Sequence, residues 1–242
     1  LQRLVARLEE AAYPGLLLIM QSNGGVATPA QSARLAAGTL LSGPAAAPVA
    51  GLAYSAVHDQ PDFITIDMGG TSFDAALVKN GAPSLTTASR VNRHLLALES
   101  MEINTIGAGG GSIASLDDSG LLRMGPKSAG ADPGPVCYGR GGQQPTCTDA
   151  NLLLGYLSPE FFAGGEIQLD LAATSRAVEE KVAKPLGLTV LEAAHGMFQV
   201  SNVNMATAIR EITDIDNLSA GRSLQFHYRL GAAPCLVAEA ED

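Results

Sequence analysis

Residues 67–74 read Asp-Met-Gly-Gly-Thr-Ser-Phe-Asp and are the part of the chain best suited to chemistry. Two glycines follow a carboxylate, and consecutive backbone N–H groups in such a turn form a concave positive nest that can hold an anion. The hydroxyls of Thr71 and Ser72 can donate to phosphate oxygens, and Asp67 can hold Mg²⁺ directly or through its waters. The segment therefore predicts a site for phosphate and magnesium.

A second interpretation of this segment is a plain hairpin turn in which Gly69 and Gly70 only supply positive φ angles. Local chemistry alone favours neither interpretation. The segment is not a P-loop, because no Gly-Lys-Ser/Thr follows the glycines.

The elements around the turn predict an α/β or mixed chain rather than an all-β one. Residues 63–67 and 73–78 read as the two strands of a hairpin, and Asn80-Gly81 predicts a turn into a third strand. The apolar run 16–20 predicts a buried strand. Cap and breaker residues predict helices, and Gly/Pro-rich stretches predict long loops. The helices are expected at 1–12, from Thr28-Pro29, at 42–57, from 148, at 170–181 and at 190–212, and the loops at 107–112 and 125–146.

Composition excludes several classes of protein. The 242 residues are 46% hydrophobic, which excludes a disordered chain. The formal charge of −9 comes without a basic stripe, so we expect no nucleic-acid partner. No apolar run approaches the roughly 18 residues that would predict a membrane span. Three cysteines without zinc-like spacing favour reduced thiols and a cytoplasmic location.

Seven motifs occur in a fixed order, and as a set they are specific. They read MQSNGG at 20–25, LSGPAA at 41–46, DMGGTS at 67–72, TIGAGGGS at 105–112, SAGADPGP at 128–135, CYGRG at 137–141 and TDAN at 148–151. The set resembles the hydantoinase A / 5-oxoprolinase family over about residues 1–212. Its Asp-x-Gly-Gly-Thr-x-x-Asp segment resembles a phosphate hairpin of the actin, Hsp70 and sugar-kinase superfamily.

The resemblance implies one ribonuclease-H-like half of an actin-like ATPase, with inserted Gly/Pro-rich loops and C-terminal helices. It implies ATP and Mg²⁺ as cofactors and the hydrolysis of a small cyclic amide, such as a hydantoin or 5-oxoproline, through phosphorylation of the amide oxygen by ATP. A hydantoinase B-type partner subunit is implied, and an oligomer is possible. By the same resemblance, the phosphate pocket comprises Gly69, Gly70, Thr71, Ser72, Gly109, Gly110 and Gly111, and the catalytic and metal-binding acids are Asp67 and Asp149.

The sequence departs from the family pattern in three places. No earlier Asp-x-Gly-Gly-Thr hairpin is present, and Asn104 stands where many members have a histidine, which argues against a transition metal there. The motifs stop near residue 212, so residues 213–242 are expected to form a divergent or truncated tail. Because the chain starts inside a predicted helix without an initiator Met, we expect a fragment. We expect it to be inactive alone, because half of an ATPase clamp cannot exclude water or hold both ends of ATP. The alternatives are a related ATP-dependent ketone carboxylase subunit and a noncatalytic remnant or interaction module.

Two further side chains belong to the motif at 137–141. Arg140 carries a guanidinium suited to bidentate binding of carboxylate or phosphate, and a role in anchoring its loop is equally open. Cys137 lacks an evident histidine or cationic helix end to lower its pKa, so a structural thiol is favoured.

Overall fold

The computed structural model describes residues 1–91 and 93–213. Within it the chain forms two compact units. Of the described residues, unit 1 comprises those in Leu1–Asp67 and Asp74–Asn104, and unit 2 comprises Met68–Phe73 and residues 105–213. The predicted tail lies, apart from Thr213, outside the described residues, so the boundary at residue 212 stays a prediction.

Unit 1 begins with helices and a small hairpin. Helices α1 (Gln2–Glu10) and α3 (Ser42–His58) start and end close to the predicted positions, and α2 (Pro29–Arg34) starts at the predicted one. Thr28 caps α2 with its hydroxyl and forms a reciprocal pair with Gln31. The buried strand predicted at 16–20 is wrong: only Ile19 and Met20 form a strand, β1, which pairs with β2 (Val26–Ala27). Leu16 is 76% exposed, because among the described residues the run pairs only with β2, and that pairing begins at Ile19.

Unit 1 continues into the sheet that carries the candidate turn. Strands β3 (Phe63–Met68) and β4 (Phe73–Lys79) form the predicted hairpin, and β10 (Ile103–Ile106) pairs with β4 on the edge opposite β3. The short strand β5 (Ala82–Pro83) also pairs with β4. The turn into β5 is confirmed, since Asn80 and Gly81 both have positive φ. Two smaller ladders pair β6 (Leu85–Thr86) with β9 (Ser100–Met101) and β7 (Ser89–Val91) with β8 (His94–Leu96).

In its described part, which ends at residue 213, unit 2 contains a hairpin and four α-helices. Antiparallel strands β11 (Ser112–Leu116) and β12 (Leu122–Ser128) precede α4 (Cys147–Leu153), α5 (Leu171–Val178), α6 (Lys184–Leu186) and α7 (Val190–Thr213). The loop predicted from residue 125 is wrong in its first four residues, because β12 continues past a register shift to Ser128, which pairs with Ser112. A π-helical turn at Glu179–Ala183 joins α5 to α6, so the helix predicted from Asp170 runs past its expected end.

The core of unit 2 lies between α7, α4 and the β11–β12 hairpin. One face of α7 is buried along its length, with Ala193, Ala194 and Met197 in the same cluster as Cys147 of α4 and Met124 of β12. This packing fixes the start of α4. Among the described residues, no helix is long and apolar enough to cross a membrane.

Candidate functional site

The turn between β3 and β4 is the centre of the candidate site. Asp67 is exposed near the end of β3 and is the last residue of its segment in unit 1, whereas residues 68–73 belong to unit 2. The N–H of Gly69 donates to the carbonyl of Ser72 at 3.0 Å and closes the turn. Thr71 is exposed and Ser72 is half-buried. The hairpin and its tight turn are therefore both confirmed.

A second glycine-rich loop supports this turn from one side. Gly110 N–H donates to the Gly69 carbonyl at 3.0 Å, and Gly111 N–H donates to the Gly70 carbonyl at 2.7 Å. The Ser128 hydroxyl reaches the same Gly70 oxygen at 3.4 Å. Both turn carbonyls therefore face this loop. In a planar trans peptide the N–H points opposite to the C=O, so the N–H groups of Gly70 and Thr71 point away from it.

The contact between the two loops is made by backbone, which explains its glycines. A Cβ on Gly109 would lie 2.6 Å from the backbone nitrogen of Thr71, and one on Gly111 would lie 2.9 Å from the Gly70 oxygen. A Cβ on Gly70 would meet no described atom within 4 Å. Packing thus requires glycine at positions 109 and 111 of the supporting loop, whereas a side chain at Gly70 would have room.

The start of α4 holds the supporting loop. The backbone N–H and the side-chain hydroxyl of Thr148 both donate to the Gly110 carbonyl, each at 2.8 Å. Thr148 is buried. The loop is tightened internally by the Ser112 hydroxyl, which accepts from Gly109 N–H at 2.8 Å. A relay of hydrogen bonds therefore runs from α4 through Gly110 to the turn.

Asp149 is fully buried, and both of its carboxylate oxygens accept hydrogen bonds. Oδ2 accepts from the Thr146 N–H and hydroxyl, each at 2.8 Å, and from Val136 N–H at 3.2 Å. Oδ1 accepts from Cys137 N–H at 2.8 Å. These bonds cap α4 and tie it to the segment before it. The catalytic and metal roles predicted for Asp149 receive no support from these contacts and stay untested.

The segment tied down by Asp149 carries Cys137 and Arg140. Burial raises the pKa of the Cys137 thiol, and the nearby Asp149 carboxylate raises it further. Cys137 is therefore held as a neutral buried thiol, as the sequence favours. The Arg140 guanidinium is exposed and lies 6.0 Å from the centre of the Tyr138 ring, a cation–π distance. This contact suits the loop-anchoring interpretation.

The structure brings together most of the predicted site but not all of it. The two glycine loops are in direct contact. Asp149 does not contact them itself but follows Thr148, which donates two hydrogen bonds to the Gly110 carbonyl. In residues 1–91 and 93–213, no group of three or more His, Cys, Asp or Glu side chains could hold a metal. Sequence reasoning missed Thr146, Thr148 and Ser128. The Thr-x-x-Asp spacing of 146–149 is a capping-box pattern that could have revealed the role of Thr146.

The chain belongs to the hydantoinase/oxoprolinase family, because a family model with that description matches residues 1–240. The match continues beyond residue 212, where the motifs stop. Caprolactamase subunit alpha of Pseudomonas jessenii is 44% identical over 213 residues, which is 88% of this chain and 31% of the relative. The 5-oxoprolinase of Saccharomyces cerevisiae is 37% identical over 81% of this chain and 16% of its own length.

Solved structures agree with the sequence comparison. The nucleotide-free structure of acetone carboxylase matches with a TM-score of 0.82 and 29% identity, over 90% of this chain and 31% of that one. The ATP-dependent caprolactamase of Pseudomonas jessenii matches with a TM-score of 0.75 and 43% identity, over 88% and 31%. The chain thus spans about a third or less of these relatives.

Proposed function

We propose that this chain supplies a phosphate-binding loop to an ATP-dependent enzyme that opens a cyclic amide. The observation that carries the proposal is the direction of the N–H groups of Gly70 and Thr71. They point away from the supporting loop, and a Cβ on Gly70 would meet no described atom within 4 Å, so the turn has room beside it for a ligand. Adjacent N–H groups directed to one side can bind the oxygens of a phosphate.

The side chains of the turn fit the same ligand. The exposed hydroxyl of Thr71 can donate to a phosphate oxygen, and Ser72 can donate from the far end of the turn. The exposed carboxylate of Asp67 would hold Mg²⁺, directly or through water. When bound, ATP with Mg²⁺ would supply an activating phosphoryl group, and the turn would position it and offset its charge. We further propose that the fold is one ribonuclease-H-like half of an actin-like ATPase.

The substrate class and the partner come from the relatives and are part of the proposal. Relatives are named as a caprolactamase subunit and a 5-oxoprolinase, which favours a cyclic amide as substrate. Several are named as subunits, which favours a second subunit of the hydantoinase B type. A ketone carboxylase is the second candidate, because the fold matches acetone carboxylase with a TM-score of 0.82.

A titration of the 242-residue chain with Mg·ATP, followed by thermal unfolding, tests phosphate binding. We expect a saturable rise in Tm, because a ligand that binds only the folded state stabilises it. Gly70→Ala should leave the unliganded Tm nearly unchanged, because its Cβ has room in the protein. It should abolish the rise, because the proposed phosphate approaches the backbone of the turn closely and a side chain there would keep it at a distance. Asp67→Asn should weaken the rise.

Gly43→Ala is the matched control, since a Cβ added to Gly43, on α3, would also meet no described atom within 4 Å. It should retain the full response to Mg·ATP. An unchanged Tm of the unsubstituted chain at saturating Mg·ATP would contradict the proposal. The chain alone should not hydrolyse ATP in response to 5-oxoproline, and rapid turnover would contradict the expected dependence on further protein segments.

A further inference from the structure

We infer that Asp149 is a positioning residue that sets the conformation of the glycine turn through Thr148. The inference rests on the proposed function for its effect on nucleotide, although the structural link can be tested without ligand. The chain of contacts begins at the Asp149 carboxylate, which is fully buried and accepts four hydrogen bonds from three residues. A buried carboxylate with all its donors in place holds those donors rigidly.

The second step is the attachment of α4 to the supporting loop. Because Asp149 holds the first turn of α4 against residues 136 and 137, it also fixes the neighbouring Thr148. Thr148 then donates twice to the Gly110 carbonyl. Both Thr148 donors are buried. Displacement of α4 would leave the Gly110 oxygen without these two bonds.

The third step is the turn itself. Gly110 and Gly111 donate to the carbonyls of Gly69 and Gly70, and those two bonds decide which way the peptide planes of the turn face. Asp149 therefore acts on the phosphate-binding N–H groups through two intermediate contacts, without touching the ligand. This assigns a different role to Asp149 from that of a metal ligand, which would need an oxygen directed at the metal.

Asp149→Asn is the informative substitution. An amide has one oxygen and a donating NH₂, so it cannot accept from both the Cys137 side and the Thr146 side. The matched control is Asp118→Asn, which makes the same chemical change at a less buried acid of unit 2. The control should retain wild-type nucleotide binding and wild-type amide exchange.

Binding of ADP with and without Mg²⁺ separates positioning from metal ligation. We expect Asp149→Asn to weaken ADP binding about tenfold, as supporting residues around a site often do. The loss should be equal with and without Mg²⁺, because the N–H groups that hold phosphate are displaced in both cases. A loss confined to the Mg²⁺ series, or no loss, would overturn the inference.

Hydrogen exchange of the unliganded chain tests the link itself. Asp149→Asn should speed exchange at the amides of Gly110 and Gly111 markedly. Thr148→Val, which keeps the shape but removes the hydroxyl bond to Gly110, should do the same to a smaller extent, and Thr148→Ser should restore protection. These two variants keep the test decisive if Asp149→Asn fails to fold.

The two proposals fail in different ways. If the unsubstituted chain binds neither ADP nor Mg·ATP, the proposed function fails, while the exchange data still test the relay from Thr148. If nucleotide binds but the Gly110 and Gly111 amides exchange at wild-type rates in the Thr148→Val chain, the positioning role is overturned and the proposed function stands.

Discussion

Helices α3 and α7, one in each unit, are both rich in apolar residues but are packed very differently. In unit 1, α3 buries only Ala45 and Pro48, while Tyr54 and Val57 are 70% and 78% exposed. In unit 2, α7 buries a continuous face against α4 and the β11–β12 hairpin. A helix that is apolar on all sides is ordinarily buried on most of them. Within the described residues, α3 lacks that cover.

This difference shows where the candidate site obtains its support. Both glycine loops, Thr148 and Asp149 belong to unit 2, and so does the core beneath α4. The geometry of the candidate turn therefore depends on packing that the described chain supplies itself. Changes of the same chemical kind should cost more in unit 2 than in unit 1, and the following predictions test that expectation.

The largest difference is expected between two glycine substitutions. Gly109→Ala places a Cβ 2.6 Å from the backbone of Thr71, so the two loops must separate. We expect a loss of about 2 kcal/mol in the free energy of unfolding, as for other overpacked sites. Gly43→Ala in α3 meets no described atom, and should raise stability by about 0.5 kcal/mol by restricting the unfolded chain.

Urea unfolding followed by circular dichroism measures both changes. Gly109→Ala should also lose the Mg·ATP response, which Gly43→Ala should retain. Equal stability of the two variants would show that the loops can separate without cost, and would remove the distinction between the units.

Two threonine caps give a second, smaller comparison. Thr146→Ala removes a buried hydroxyl that donates to Asp149, leaving a buried carboxylate short of one donor. We expect a loss of about 2 kcal/mol from the cap and the lost bond together. Thr28→Ala removes the exposed cap of α2 and should cost about 1 kcal/mol.

The same unfolding assay decides this comparison, with Thr146→Ser and Thr28→Ser as controls that keep the hydroxyl. The serine variants should recover most of each loss. A Thr28→Ala chain as unstable as Thr146→Ala would mean that burial of the cap adds nothing.

The sequence predicted local features well because their causes lie within a few residues. Thr28, Asp170 and Thr189 each cap a helix that begins at the next residue, and Asn80-Gly81 forms the turn that these residue types favour. The β3–β4 hairpin follows from two short strands and the tight turn between them. Each of these could be predicted from neighbours along the chain.

The features that were missed depend on distant parts of the chain. The supporting loop meets a turn that is remote in sequence, and Thr148 meets Gly110 across a separation of 38 residues. Strand β12 contains Gly125 and Pro126, which indicate a loop, yet they lie at a register shift of the β11–β12 hairpin, and the strand continues to Ser128 because Ser128 pairs with Ser112. Asp149 matches the site motif, yet only the fold shows its oxygens facing backbone donors.

The smallest predicted difference between the units concerns pH. The cap of α7 pairs Thr189 with Glu192, whose pKa is lowered because its carboxylate accepts from the Thr189 N–H and hydroxyl. A lowered pKa in the folded state means that this stabilisation is present above the ordinary glutamate pKa and is lost as the pH falls below it. The cap of α2 uses Gln31, which does not titrate.

Hydrogen-exchange protection factors, corrected for intrinsic rates, should therefore fall between about pH 6 and about pH 3.5 at the start of α7 more than at the start of α2. Glu192→Gln should remove that difference, and a first turn of α7 that keeps its full protection at the acidic end of this range would refute the coupling.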